Sequence, residues 1–169
     1  MEVGFDFGTT NSSLAQFDGR RVRYFTLDPA NQDTRLLPSL IYITRDHQAV
    51  VGFGAAKRYL AENVGRPIRY EKRLVGLVEL AYSDVDFQQE VYAYEDVEAP
   101  GRFLQSIKTV LRDEDYQGTF IFKRHYAAQD LIALILRQAR LRAEAELGGD
   151  ITQVVLGRPV IFSPDEVID

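Results

Sequence analysis

Val3-Gly4-Phe5-Asp6-Phe7-Gly8-Thr9-Thr10-Asn11-Ser12-Ser13 opens the chain, and its alternation decides what kind of fold follows. Apolar residues fall at every second position around Asp6, the period of a strand with one buried face. Gly8 breaks the pattern, polar side chains follow, and Leu14-Ala15-Gln16-Phe17 resumes a strand. The stretch therefore reads as strand, tight polar turn, strand, with a carboxylate near the end of the first strand. Gly8 lets the backbone approach a ligand closely, and the amides after it can point at anionic oxygens. Thr9, Thr10, Asn11 and Ser12 add side-chain donors, while Asp6 can hold a metal ion directly or through water. A magnesium–nucleotide phosphate fits this set better than other common ligands. A plain hairpin whose turn favours Gly, Thr and Asn is the other reading of the same residues.

With 169 residues, the chain is one ordinary domain or a pair of small subdomains, and 46% hydrophobic residues suffice for a real core. The formal charge of −5 argues against a general nucleic-acid binder, because no basic surplus exists to displace counterions. Cysteine is absent, which removes disulfides, thiol nucleophiles and cysteine-ligated zinc and fits a reducing compartment. Glu2 and Asp6 argue against a signal peptide, and the longest wholly apolar run, Leu131 to Leu136, is too short to cross a bilayer. A soluble cytoplasmic chain with neither nucleic-acid nor membrane partners is expected.

The first half reads mostly as antiparallel strands. Asp18-Gly19 signals a two-residue hairpin leading into Val22 to Thr26. After a polar loop, Leu37-Pro38-Ser39 enters a strand over 40–44, and Arg45-Asp46-His47 turns the chain back into Ala49-Val50-Val51. Gly52-Phe53-Gly54 opens a helix that runs to about Asn63 and stops before Gly65 and Pro67. Residues 66–100 mix helix formers with aromatic and acidic residues. Their acidic run reads either as a docking surface or as a solvated loop or helix face. A short helix is expected from about Pro100 to Leu111, then a strand at Thr119-Phe120-Ile121-Phe122.

The clearest element of the second half is a helix over roughly Ala128 to Leu147. Leu131, Ile135 and Ala139, with Ile132, Leu136, Ala143 and Leu147, form an apolar stripe at helical spacing, and Gly148-Gly149 supplies the stop. Val154-Val155-Leu156-Gly157 reads as a buried strand. Because a helical crossover joins parallel strands, this strand should lie parallel to the first. Ser163-Pro164-Asp165-Glu166 has the form of a helix opening close to the end of the sequence. A helix so short is not stable alone, so a fragment is expected. His47 and His125 have no His or acidic partner at ligand spacing, and no nucleophile elbow, Walker loop or dinucleotide fingerprint occurs.

The run Gly4-x-Asp6-x-Gly8-Thr9-Thr10-Asn11-Ser12 resembles the first phosphate loop of the actin, sugar-kinase and DnaK-type heat-shock chaperone superfamily, and the chaperone version most of all. Pro38-Ser39 and Gly54-Ala55-Ala56-Lys57 resemble the same chaperones in the same order. Asp130-Leu131-Ile132-Ala133-Leu134-Ile135-Leu136 and Val155-Leu156-Gly157-Arg158-Pro159-Val160 are similar to the shorter YegD-like bacterial branch. The resemblance implies a ribonuclease-H-like (actin-like ATPase) mixed sheet flanked by helices. It implies the N-terminal lobe, with a core at 1–39 and 121–169, a smaller inserted subdomain at about 40–120, and the C-terminal lobe absent.

What the resemblance implies for function is half of a Mg–ATP site, with Asp6 toward Mg2+ and Gly8, Thr9, Thr10 and Asn11 toward the phosphates. A lysine in such chaperones orients the attacking water, a cation facing developing phosphoryl charge. Lys72, in Glu71-Lys72-Arg73-Leu74-Val75-Gly76, is the better literal match. Lys108, in Ser106-Ile107-Lys108-Thr109-Val110-Leu111, is preferred by its order along the chain. In the family, a proline at the place of Pro159 passes nucleotide state between subdomains; strand termination is its plain alternative. A second Asp-Gly-Gly-Gly turn and an adenosine pocket are not found in this sequence. The full-length protein is expected to hydrolyse ATP, the fragment alone to be inactive, and the partners to be nucleotide with client proteins or co-chaperones. A lobe of a sugar or acetate kinase, or a non-catalytic interaction module, are the alternatives.

Overall fold

The computed structural model describes residues 1–82, 85–113 and 115–157, with the side chains of 79–87 left aside. The segment Arg158-Pro159-Val160 and the helix opening at Ser163 lie outside the described residues. In chain order the elements are β1 (Glu2–Phe7), β2 (Asn11–Phe17), β3 (Val22–Tyr24), β4 (Leu37–Pro38), β5 (Leu40–Thr44), β6 (Ala49–Val51) and α1 (Phe53–Asn63). There follow β7 (Tyr70–Tyr82), β8 (Val85–Asp96), β9 (Gly101–Gln105), a 3-10 helix (Ile107–Arg112), β10 (Thr119–Ile121), β11 (Arg124–Tyr126), α2 (Ala128–Leu147) and β12 (Gln153–Leu156). They divide into two compact units, one comprising Met1–Ala61 and the chain from Gly101 onward, the other Glu62–Pro100.

The larger unit is built on a mixed sheet in the order β12-β1-β2-β3, with β4 on β2 as well. β1 pairs antiparallel with β2, Gly4 facing Ala15 and Phe7 facing Ser12. On its other edge β1 pairs parallel with β12, from Glu2 facing Gln153 to Phe5 facing Leu156. The helix between these strands makes the parallel pairing possible, as its position in the sequence predicted. Val3, Phe5 and Phe7 are buried while Glu2, Gly4 and Asp6 face outward, so the period-2 alternation marks the core face correctly.

α2 covers that core. Leu131, Ile135, Ala139 and Ala143 are fully buried, and Ile132, Leu136 and Leu147 pack beside them. Burying each large aliphatic side chain contributes about 1.5–3 kcal/mol, so this stripe is the main anchor of the helix. At its start the Asp130 carboxylate accepts the Ala127 amide, and at its end Gly148 takes a left-handed conformation with its amide on Glu144 O.

A second sheet, ordered β6-β5-β9, carries Ile41, Tyr42 and Ile43 fully buried. Here the helix expected from Pro100 is corrected: residues 101–105 form β9, antiparallel to β5, and only 107–112 turn helically. Pairing with an already formed strand outweighs the weak local preference of five residues. The Asp18-Gly19 turn also differs from expectation. Phe17 pairs with Val22, leaving a four-residue connection in which the Asp18 carboxylate accepts the amides of Arg20 and Arg21.

The smaller unit, least legible in the sequence, is a long β7–β8 hairpin with a bulge between Leu74 and Gly76. Several of its acidic residues pair with arginines of the same unit: Arg66 with Asp96, Arg69 with Glu71 at 2.9 Å, and Arg73 with Glu95 at 3.2 Å. No helix among the described residues is long and apolar enough to cross a membrane.

Candidate functional site

The Gly8-Thr9-Thr10 turn joins β1 to β2 at the end of the central sheet. A Cβ on Gly8 would lie 2.1 Å from Asn11 O, so the turn closes on itself at a position only glycine can occupy. Asp6 sits two residues earlier on the outward face of β1 and is exposed, as are Thr9 and Thr10, with Asn11 half-buried. The side chains of Asp6, Thr9 and Thr10 have no hydrogen-bond or ion-pair partner among the described residues. They present a carboxylate and two hydroxyls at one end of the sheet.

Ser39 fixes the turn from behind. It is the single residue between β4 in the central sheet and β5 in the second sheet, and it is buried. Its hydroxyl donates to Gly8 O at 3.1 Å and its amide donates to Thr10 O at 2.8 Å. Just beside it, Asn11 pairs with Pro38 and Ser12 with Leu37. The carbonyl of Ser39 in turn accepts the Ser106 amide at 3.3 Å.

Ser106 stands in the left-handed region, φ 55°, and from there the chain enters the 3-10 helix. Ile107 is buried as its anchor, and the helix packs on α2. The next residue, Lys108, sends its ammonium back to the end of β1, where it donates to Phe7 O. The same ammonium lies 5.4 Å from the Phe7 ring centroid. Phe7 is the residue immediately before Gly8, so a cation, a carboxylate and the donors of the turn gather at one strand end. Lys72 lies on β7 in the other unit, with its ammonium 3.7 Å from the Tyr92 ring centroid.

No group of three or more His, Cys, Asp or Glu side chains converges as a metal site among the described residues. His47, in a turn with φ 61°, has its Nδ1 3.1 Å from the Tyr126 hydroxyl, a contact that ties the β5–β6 turn to β11. Sequence reasoning assigned no role to Ser39 or Ser106. The available signal was a hydroxyl residue between Pro38 and a run of buried apolar residues, a place where an unpartnered hydroxyl would be costly.

Comparison with known proteins agrees with this architecture. The family described as "Hsp70 protein" matches residues 2–166. The chaperone protein DnaK of Akkermansia muciniphila is 30% identical over 161 residues, covering 95% of this chain and 23% of that protein. The chaperone protein DnaK of Stenotrophomonas maltophilia is 27% identical over 164 residues, covering 97% of this chain and again 23% of the relative. The chain thus spans about a quarter of the length of these curated relatives. A match that runs through both edges of the central sheet and every strand between them places the chain in the Hsp70 protein family.

Proposed function

We propose that this chain is the N-terminal nucleotide-binding lobe of a DnaK-like chaperone ATPase and supplies the first phosphate turn of a Mg–ATP site. The observation that carries the reading is the Lys108 ammonium at the end of β1, beside the glycine turn and one outward carboxylate. The residues present fit the group. Glycine at position 8 lets the turn close tightly on Asn11 O, and Thr9 and Thr10 on its exposed side are open to phosphate oxygens. A lone carboxylate suits magnesium, which is commonly held by one or two carboxylates together with substrate phosphates and water. Asp6 would hold the ion, Gly8, Thr9, Thr10 and Asn11 would hold the phosphates, and bound Mg2+ would neutralise charge on the phosphoryl group.

The cation role falls to Lys108, because its ammonium already lies at the strand end that carries the turn. The ammonium of Lys72 is engaged by an aromatic ring within its own hairpin. A cation stabilises charge on transferring oxygens only at close range, which makes position the criterion. Domain limits of 1–39 and 121–169 for the lobe core, with an inserted subdomain at 40–120, belong to the same proposal, as does placement in the YegD-like branch. So do a cytoplasmic location and partnership with client proteins or co-chaperones.

The test is steady-state ATP hydrolysis by the full-length protein. Asp6→Asn and Lys108→Ala should each lower kcat by about a hundredfold or more, the scale of losing one preorganised charge-stabilising group. Lys72→Ala should leave it unchanged. Full activity in both Asp6→Asn and Lys108→Ala would remove the turn from nucleotide chemistry.

A further inference from the structure

We propose that Ser39 is a positioning residue that sets the distance between the phosphate turn and the cation facing it. This rests on the nucleotide reading above and adds to it a residue that contacts neither phosphate nor metal. Three bonds of one residue meet here: hydroxyl to Gly8 O at 3.1 Å, amide to Thr10 O at 2.8 Å, and carbonyl from the Ser106 amide at 3.3 Å. The first two hold both ends of the Gly8-Thr9-Thr10 turn. The third holds the residue at which the chain swings into the helical turn carrying Lys108. Ser39 is therefore bonded both to the turn and to the segment that delivers its cation.

Burial makes the arrangement stiff. Ser39 is 1% exposed, so its own hydroxyl is shielded from water, and in its absence the Gly8 carbonyl would lose that donor. It also lies where the chain passes from one sheet to the other, each end being pinned by strand pairing: Pro38 to Asn11 on one side, Leu40 to Gln105 on the other. A residue held from both sides has little freedom to drift. That rigidity passes to the turn through the two bonds, and to Lys108 through Ser106. Pre-set geometry is what phosphoryl-transfer sites need, since displacement of a positioned group by about 1 Å can cost about a hundredfold in rate.

The experiment uses the full-length protein with Ser39→Ala and Ser39→Thr, compared with Lys108→Ala. Ser39→Ala should lower kcat by about ten- to a hundredfold with KM changed far less, and Ser39→Thr, which keeps the hydroxyl, should recover most of it. Without nucleotide, hydrogen exchange of the amides at 9–11 should accelerate in Ser39→Ala and return toward the parent rate in Ser39→Thr. A purely structural serine would instead lower the melting temperature while leaving kcat intact below it. That result, or unchanged exchange at 9–11, overturns the proposal. If Asp6→Asn and Lys108→Ala are also silent, the nucleotide reading has failed. If they are crippled while Ser39→Ala is not, only the positioning role has failed.

Discussion

Ser12 carries a hydroxyl that the fold has buried and, among the described residues, left without a partner. It is 1% exposed on the core-facing side of β2, opposite Phe7, and its Oγ makes no hydrogen bond to any described residue. A buried unsatisfied hydroxyl costs about 1–3 kcal/mol, so Ser12→Ala should stabilise the protein by about 1 kcal/mol. Urea unfolding measures this, and a loss of stability would show that the hydroxyl does have a partner. The contrast with Ser39 is instructive, because two buried serines near one turn play opposite parts. Asp6, Gly8 and the threonines were legible from the sequence because their neighbours alternate and their chemistry is local. Ser39 was not, because its hydroxyl partner lies 31 positions away. Lys108 could be ranked above Lys72 by order along the chain, yet its carbonyl partner is 101 positions distant, and no spacing rule reports that.

One turn and one helix start show how elements are joined. Between β10 and β11 the turn residues Phe122 and Lys123 both have positive φ, 46° and 70°, where Asn-Gly would be at ease. Phe122 is retained by packing against the core and by the Arg45 guanidinium, 4.8 Å from its ring centroid. Lys123 is exposed, so Lys123→Gly should raise stability by about 0.5–1 kcal/mol, net of the entropy glycine loses. Phe122→Gly should destabilise instead, and thermal unfolding of both variants tests the pair. At the start of α1, the buried Asp28 carboxylate accepts the Phe53 amide at 2.6 Å and faces Arg142 of α2 at 3.4 Å. Gly52 leaves room for it, since a Cβ there would lie 2.4 Å from Asp28 Oδ2. Asp28→Ala should cost about 3 kcal/mol, because the Arg142 guanidinium keeps Leu27 O but loses its charged partner, and the Phe53 and Ala30 amides lose their acceptor; a loss below about 1 kcal/mol in chemical unfolding would refute that. α2 was readable from end to end because its stripe holds one period for twenty residues. The β7–β8 hairpin was not readable, and its bulge explains why. Apolar residues at 74, 75, 77 and 78 break strict strand alternation where the register shifts between Leu74 and Gly76, and 74, 77 and 78 mimic the i, i+3, i+4 spacing of a helix.

Across the whole molecule, carboxylates hold distant segments to α2. Glu146 accepts the Thr26 amide and the Arg23 guanidinium, and both hold its carboxyl below the usual 4.5; Glu144 is lowered by Arg140 and by the Ile151 amide. Groups with lowered values contribute stability that is complete above the unfolded value and lost as pH falls through the folded one. Unfolding midpoints should therefore be level between pH 7 and 5 and drop below about pH 4.5, and Glu146→Gln should make that drop shallower. An unchanged acid slope in the variant would exclude Glu146 as a contributor. The central parallel pairing could be foreseen because a long helix must separate the two strands, whereas the long hairpin of the smaller unit could not, because it has no clear strand period. That parallel pairing also has a consequence for how the chain is made. The Met1 amino group bonds to Thr152, 151 positions on, and β1 beside it waits for β12 to complete its second edge. At ribosomal speeds of about 5–20 residues per second, the strand bearing Asp6 stays open along that edge for roughly 7–30 seconds. An open strand edge is a template for wrong partners, so during its own synthesis this lobe is itself in need of shielding.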